Sequence, residues 1–239
     1  MIKRIIYLII LLLLSLMLVE KIRNNVADRF VYPMVYNIGM KNNNAAILLA
    51  SGKIKQDIGQ YENAKVVYTY VVQHPELMKQ KNAEEKAYNY LGNVFYLLAD
   101  YSNAAKSYYL VLKKDPTNRE AFLKFIRINM AYGNVEPIIP LMNSYVARRP
   151  TDTTGYTELC AAHGRLGDFI TARKNCQMAI KHGRNNARAH YDYAVLLEEN
   201  NFGPDAEKEL QLAKKIQPDI KSRKELEELL FKYKEQLGK

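Results

Sequence analysis

The chain has 239 residues, of which 48% are hydrophobic and 25% are charged, close to the averages of globular proteins. This composition excludes wholesale disorder, and the presence of only two cysteines excludes a disulfide scaffold or a paired CxxC zinc ribbon. The net charge of +10 is spread thinly, without the Lys/Arg clusters of a helix that reads DNA. We therefore expect no nucleic-acid partner.

The N-terminus contains an uncharged apolar run, Ile5–Val19, between two short basic segments. At about 1.5 Å per residue the run covers roughly 22 Å, and Lys/Arg side chains that snorkel at both ends extend it toward bilayer thickness. A cleaved signal peptide is the alternative, but the only candidate cleavage site, after Ala27, lies far beyond the run. We predict an uncleaved single-pass transmembrane helix over residues 1–23.

The charges on either side of this run predict its orientation. Lys3, Arg4 and the α-amine place +3 before it, whereas residues 20–29 carry +1 after it. The positive-inside rule then puts the N-terminus in the cytoplasm and the rest of the chain outside. A bare anchor followed by a tail without low-complexity segments is typical of bacteria. We therefore predict a location in the bacterial inner membrane, with the remaining domain in the periplasm or at the cell exterior.

A linker, 24–44, follows the predicted anchor. Its segment from Val26 to Met40 is apolar and aromatic-rich, but it is interrupted by Pro33 and Gly39. The sequence leaves two interpretations open. The linker either lies at the lipid headgroups or covers the N-terminal end of the domain that follows.

From residue 85 to residue 220 a pattern of large and small side chains returns every 34 residues. Large residues alternate with small residues where two helices would approach closely, and a proline closes most periods. A turn separates the halves of each period, at Ala99, Gly133, Gly167 and Asn201, and a further unit fits residues 45–78 with its turn at Gly59. The first period consists of Tyr88, Leu91, Gly92 and Phe95, followed by Ala104, Tyr108, Val111 and Pro116.

This pattern resembles the tetratricopeptide repeat (TPR) over about three quarters of the chain. The resemblance implies an all-α superhelical solenoid of about five helix-turn-helix repeats. We predict a solenoid over 45–220, with repeats 45–78, 85–118, 119–152, 153–186 and 187–220. The third repeat is degenerate, and Pro140 should shorten or bend its second helix.

The C-terminal segment 221–239 departs from the repeat. Ser222 and Glu225 have the spacing of a capping box that opens an amphipathic helix. We interpret this helix as a cap over the apolar end of the solenoid, and a partner-binding helix is the alternative.

No enzyme signature is present: the sequence lacks GxGxxG, P-loop, HExxH and GxSxG motifs. We predict a non-enzymatic protein without a cofactor. Cys160, His163 and Cys176 fall on facing helices of the fourth repeat, but they occupy packing positions and lack an evident fourth ligand, so no metal is predicted. A disulfide between Cys160 and Cys176 and two buried free cysteines both stay open.

In the TPR family, the first helix of each repeat lines a concave groove. The resemblance therefore implies that polar and aromatic residues on these helices bind a protein or peptide partner. The candidate groove residues are Lys86, Asn89, Tyr90, Asn93, Tyr96, Lys124, Arg127, Arg188 and Tyr191, with Met130, Thr157, Glu158, Arg165, Asp192, Glu198 and Glu199 at equivalent positions. Asn89 and Lys124 stand where the family's chaperone-tail clamp needs Lys and Asn, so a chaperone C-terminal tail is not the predicted ligand.

These features together predict a membrane-tethered TPR scaffold, or an assembly adaptor of the chaperone type, that holds a peptide or subunit in its groove. The alternative function is a structural component of a large cell-envelope machine, such as a secretion, pilus or flagellar apparatus.

Overall fold

The computed structural model describes residues 20–222 and residue 225, and the regular structure in this part of the chain is helical, without strands. The predicted anchor Ile5–Val19 lies outside these residues, as does the predicted terminal helix apart from residues 221, 222 and 225. Within the described ranges, no helix combines the length and the apolar character needed to cross a membrane.

The helices follow one another with short connections. Residues 20–26 are helical and continue through a π-helical turn, Ala27–Val31, into α1. The α-helices are α1 (Tyr32–Lys41), α2 (Ala45–Asp57), α3 (Tyr61–Gln73), α4 (Pro75–Met78), α5 (Ala83–Leu97), α6 (Tyr101–Lys114), α7 (Arg119–Ala131), α8 (Ile139–Arg148), α9 (Thr153–Arg165), α10 (Phe169–His182), α11 (Ala187–Glu199) and α12 (Gly203–Ile216).

The turns inside the predicted repeats share one backbone conformation. Gly59, Gly133 and Gly167 have φ angles of 80°, 76° and 74°, in the left-handed region that ends many helices. Ala99 and Asn201 take the same place in the other two turns, with φ angles of 59° and 65°. Each turn therefore reverses the chain between two helices of a pair in the same way, as the periodicity of the sequence predicts.

The chain divides into two compact units, 1–125 and 126–239, and the boundary falls within α7. In the first unit, α2 pairs with α3 and α5 pairs with α6 around a core that includes Tyr68 and Leu91. Glycine makes the close approach possible: a Cβ atom on Gly92 would lie 2.8 Å from Cε1 of Tyr108, which is fully buried. The predicted contact between small and large residues of paired helices is confirmed there.

In the second unit, α9 pairs with α10 and α11 pairs with α12. The core between them includes Leu196 and Leu197. A 3₁₀ turn, Glu136–Ile138, precedes α8, which places Pro140 in the first turn of that helix, where a missing N–H costs little. The predicted shortening of this helix is therefore observed at its N-terminal end, because α8 begins only at Ile139.

The predicted capping box is present at the end of the described chain. The Ser222 N–H donates to Oε2 of Glu225 at 2.5 Å, and the Glu225 N–H donates to Oγ of Ser222 at 3.2 Å. These two reciprocal hydrogen bonds satisfy amide groups that open a helix. The helix that would follow lies outside the described residues.

Candidate functional site

A polar cluster connects three helices of the first unit, α5, α6 and α7. Nδ2 of Asn89 and Nδ2 of Asn93 donate to the two carboxylate oxygens of Glu120, at 3.4 and 3.3 Å. Oδ1 of Asn93 accepts from the hydroxyl of Tyr108 at 2.7 Å and also from Nζ of Lys124. Asn93 and Lys124, both predicted to contact a partner, therefore hold this unit together.

The electrostatics of the cluster depend on Lys124. Burial raises the pKa of Glu120, but the hydrogen bond and charge of Lys124, together with the hydrogen bonds from Asn89 and Asn93, outweigh it and hold that pKa below its usual range. Burial also raises the pKa of the Tyr108 phenol, so this group stays a hydrogen-bond donor. Oδ1 of Asn89 is buried and accepts no hydrogen bond. Asn89 is therefore bonded less completely than Asn93, whose amide oxygen accepts two hydrogen bonds.

The other predicted groove residues of the first unit differ in their surroundings. Lys86 is exposed. Tyr96 is 43% exposed and packs its ring edge-on against another tyrosine. Tyr90 is half-buried and stacks on Tyr68, with 5.3 Å between ring centroids. Tyr90 therefore contributes mainly to the core of the unit, since one face of its ring is already covered.

A buried ion pair joins α9 to α11 in the second unit. The side chain of Glu158 is 1% exposed, and its two oxygens accept from Nη1 and Nη2 of Arg188 at 2.6 and 3.0 Å. Nε of the same guanidinium lies 3.4 Å from Oδ2 of Asp192, one helical turn further along α11. Arg188, another predicted groove residue, is therefore held by two carboxylates of its own unit.

Beside this ion pair, α9 and α11 form an open groove of about 560 Å³. Apolar and charged side chains share its lining, which includes Cys160, Arg165, Tyr191, Asp192, Val195 and Glu199. Nη1 of Arg165 donates to the backbone carbonyl of Met130 at 2.7 Å, which fixes this cation at one side of the groove. We call this surface the α9–α11 groove. Its mixture of apolar and charged groups suits an extended peptide with both kinds of side chain.

Cys160, at the edge of the groove, is bonded to Cys176 as a disulfide, with 5.1 Å between the two Cα atoms. The bond ties α9 to α10 behind the groove. Nδ1 of His163 lies 3.2 Å from Oδ2 of Asp168. Across residues 20–222 and residue 225, no three potential ligands come together to hold a metal ion.

The pKa of Asp192 is raised to about 6 by burial, against the opposing charge of Arg188. Between pH 4 and pH 6 the folded protein therefore holds this proton more tightly than the unfolded chain, so this group destabilises the fold as pH rises. Asp192→Asn should unfold at the same urea concentration as the parent near pH 4. At pH 7 it should be more stable by about 3 kcal/mol, since each pKa unit corresponds to about 1.4 kcal/mol.

The difference between variant and parent, measured by urea unfolding at several pH values, isolates Asp192 from all other titrating groups. A difference that stays constant from pH 4 to pH 7 would contradict the assignment. Asp168→Asn is a suitable comparison, because hydrogen bonds to Thr171 lower the pKa of Asp168 instead. The asparagine variant at that position should not gain stability as pH rises.

Comparison with known proteins gives the class of fold. No protein-family model matches the sequence. No curated protein matches it either. The structure is similar to YrrB, a TPR protein with an unusual peptide-binding site, at 17% identity and a TM-score of 0.60, over 77% of this chain and 93% of YrrB.

The structure is also similar to MamA, residues 41 to the end, from Desulfovibrio magneticus RS-1. The identity is 16% and the TM-score 0.62, over 74% of this chain and 97% of that one. A MamA double mutant gives a TM-score of 0.61 at 15% identity, over 73% of this chain and 94% of that one. At such identities the likeness shows the fold: the described part of the chain has the TPR-like arrangement of paired helices.

Glu158 and Asp192 occupy predicted groove positions, but their pairing with Arg188 was not predicted. One signal was available, because Arg188 and Asp192 are four residues apart, the spacing of an ion pair on one helix. Glu158 is 30 residues from Arg188, and no local spacing marks that contact. Arg127, the remaining candidate, is exposed on the part of α7 that belongs to the second unit.

Proposed function

We propose that this protein is a membrane-tethered, non-enzymatic scaffold that binds a peptide or a protein subunit through the first helices of its TPR-like pairs. The observation that carries the proposal is the α9–α11 groove. It offers about 560 Å³ of open space between helices that the Glu158–Arg188 ion pair holds in position. A groove whose walls are fixed before binding costs less conformational entropy to occupy.

The chemistry of the groove indicates which peptides it accepts. Val195 supplies apolar area, and Tyr191 combines apolar area with a polar tip. Arg165 and Asp192 supply charges of opposite sign. A peptide with one apolar side chain and flanking polar groups can make a favourable contact with each of these four side chains. A purely apolar ligand would remove water from these two charged groups without offering them a polar group in return, which is costly.

The tether is proposed from the sequence. The uncharged run Ile5–Val19 and its flanking charges support an anchor in a bacterial inner membrane, with the helical domain in the periplasm. Extraction with alkaline carbonate tests this part separately. The full-length protein should stay in the membrane pellet, and a released protein would contradict the tether without affecting the groove.

Site-specific photo-crosslinking tests the groove in the native membrane. A benzoylphenylalanine in place of Tyr191 is close to tyrosine in size and should capture the partner as a discrete adduct. The matched control is the same photo-crosslinker at Ile170, which is 82% exposed on α10, the second helix of its pair. An adduct at position 191 but not at position 170 supports the proposal. Adducts only at position 170, or at neither position, would reject the groove as the binding surface.

A further inference from the structure

The helical segment 20–41 has two faces with different surroundings, and the face toward α2 is firmly attached. Gly39 is buried, and a Cβ atom there would lie 2.9 Å from Cγ of Leu48. Tyr36 packs against the core of the first unit. The segment therefore covers the first helix pair, which is one of the two interpretations that the sequence left open.

Charged groups set the rotation of the segment about its axis. The carboxylate of Asp28 accepts from Nζ of Lys55 and from Nε2 of Gln60, the latter at 3.0 Å. Lys55 is buried, and its ammonium lies 4.0 Å from the centroid of the Tyr32 ring. The bond to Lys55 also holds the pKa of Asp28 below its usual range. These contacts fix which side of the segment faces away from the unit.

The opposite face carries an apolar stripe that no described residue covers. Its members follow at intervals of four residues and are Ile22, Val26, Phe30, Met34 and Ile38, with exposed fractions of 55, 46, 69, 58 and 43%. In a regular α-helix, residues four apart advance by about 40°, so four such intervals would turn the stripe through roughly 160°. The wider π-helical turn Ala27–Val31 takes up part of that rotation and helps to keep the stripe on one side.

Exposed basic groups outnumber exposed acidic groups beside the stripe. Lys21, Arg23 and Arg29 are exposed, and they outnumber Glu20, which is also exposed and lies 3.6 Å from Arg23. The second acidic group, Asp28, is paired with Lys55. An apolar stripe with aromatic character and basic neighbours is the pattern of a helix that lies in a membrane interface. Such basic groups add attraction to anionic lipids.

The chain itself brings this stripe to the bilayer. Only two residues separate Ile22 from Val19, the end of the apolar run. Even a fully extended connection of this length spans no more than about 10 Å, whatever its conformation. We propose that the stripe lies in the boundary between headgroups and acyl chains of an anionic bilayer, so that helix 20–41 attaches the helical domain to the membrane surface. This inference rests on the proposed membrane tether.

The absence of tryptophan from the chain makes a direct test possible. The full-length protein is reconstituted into vesicles of phosphatidylcholine and phosphatidylglycerol, with Phe30→Trp or Met34→Trp as the only fluorophore of its type. Vesicles with brominated phosphatidylcholine quench tryptophan that contacts acyl chains. The control is Ile170→Trp, at an exposed position of α10.

We expect brominated lipid to reduce the emission of both stripe variants by at least about half, because an interfacial helix buries its apolar face to the depth of the upper acyl chains. The Ile170→Trp emission should not change. Flotation with the vesicles is measured in parallel. It reports whether the protein is attached to the membrane, whereas quenching reports whether the stripe contacts the acyl chains. If the variants float but neither is quenched, the interfacial helix is rejected and the tether stands.

If the unquenched stripe variants also shift their emission to the blue, and protein–protein crosslinks join two stripes, a second copy of the chain covers the face instead. If the protein does not float with the vesicles, both the tether and this inference are rejected. Use of two neighbouring reporter positions guards against a single substitution that disturbs the segment.

Discussion

Arg188→Met should lower the free energy of unfolding of the second unit by about 3 kcal/mol, since it leaves the carboxylate of Glu158 buried without a partner. The value is at the lower end of the range for broken buried ion pairs, because the arginine side chain is 43% exposed and water reaches it. Urea unfolding of the detergent-solubilised protein measures the change. Hydrogen exchange of the α9 and α11 amides should locate it.

Two further variants separate the buried charge from the loss of packing. Glu158→Leu should cost less than Arg188→Met, because the remaining arginine still faces Asp192 and solvent. The double variant Glu158→Leu/Arg188→Met should recover most of the loss, since two apolar side chains replace two charges. If the two single effects simply add in the double variant, the proposed ion pair does not contribute to stability.

Asn93→Ala should cost about 1–3 kcal/mol, because it leaves the buried hydroxyl of Tyr108 without its acceptor. The same variant also removes an acceptor from Lys124. The matched control is Asn89→Ala, one turn away on α5, where the lost hydrogen bond is a single long one of 3.4 Å. We expect this control to change stability by less than about 0.5 kcal/mol.

A second substitution tests the cause of the Asn93 effect. In the Asn93→Ala background, Tyr108→Phe removes the unsatisfied hydroxyl and should restore part of the stability. In the parent protein the same change removes a satisfied hydrogen bond and should be destabilising. A Tyr108→Phe effect of the same size in both backgrounds would show that Asn93 and Tyr108 are not coupled.

Residues whose replacement destabilises the protein are unsuitable for binding experiments. Arg188, Asn93 and Lys124 were predicted as partner contacts, but each also bonds within its own unit. Lost binding after their replacement would not distinguish a contact from a disturbed helix pair. Asn89 and Tyr191 are better probes: replacement of Asn89 removes only one long hydrogen bond, of 3.4 Å, and Tyr191 lines the α9–α11 groove.

The sequence by itself determined the helical pairing. A repeated order of large and small residues at a period of 34 was sufficient, because helix faces and turns depend on neighbours a few residues apart. It located the turns, the small residues such as Gly92 at which paired helices approach, and the shortened second helix of the third repeat. The exposed stripe of helix 20–41 is also visible as an interval of four residues once that segment is taken as helical.

Only the tertiary structure decided how the polar residues on these helices are used. Glu158 meets Arg188 across 30 residues, Asp28 meets Lys55 across 27, and Asn93 meets Lys124 across 31. Such contacts depend on the offset and rotation of neighbouring helices, which the packing of the core sets. A pattern of polar positions does not encode these quantities, since almost any exposed polar residue satisfies it. The sequence therefore predicted which helices line a groove. Which of their side chains remain available to a ligand depends on contacts that only the fold determined.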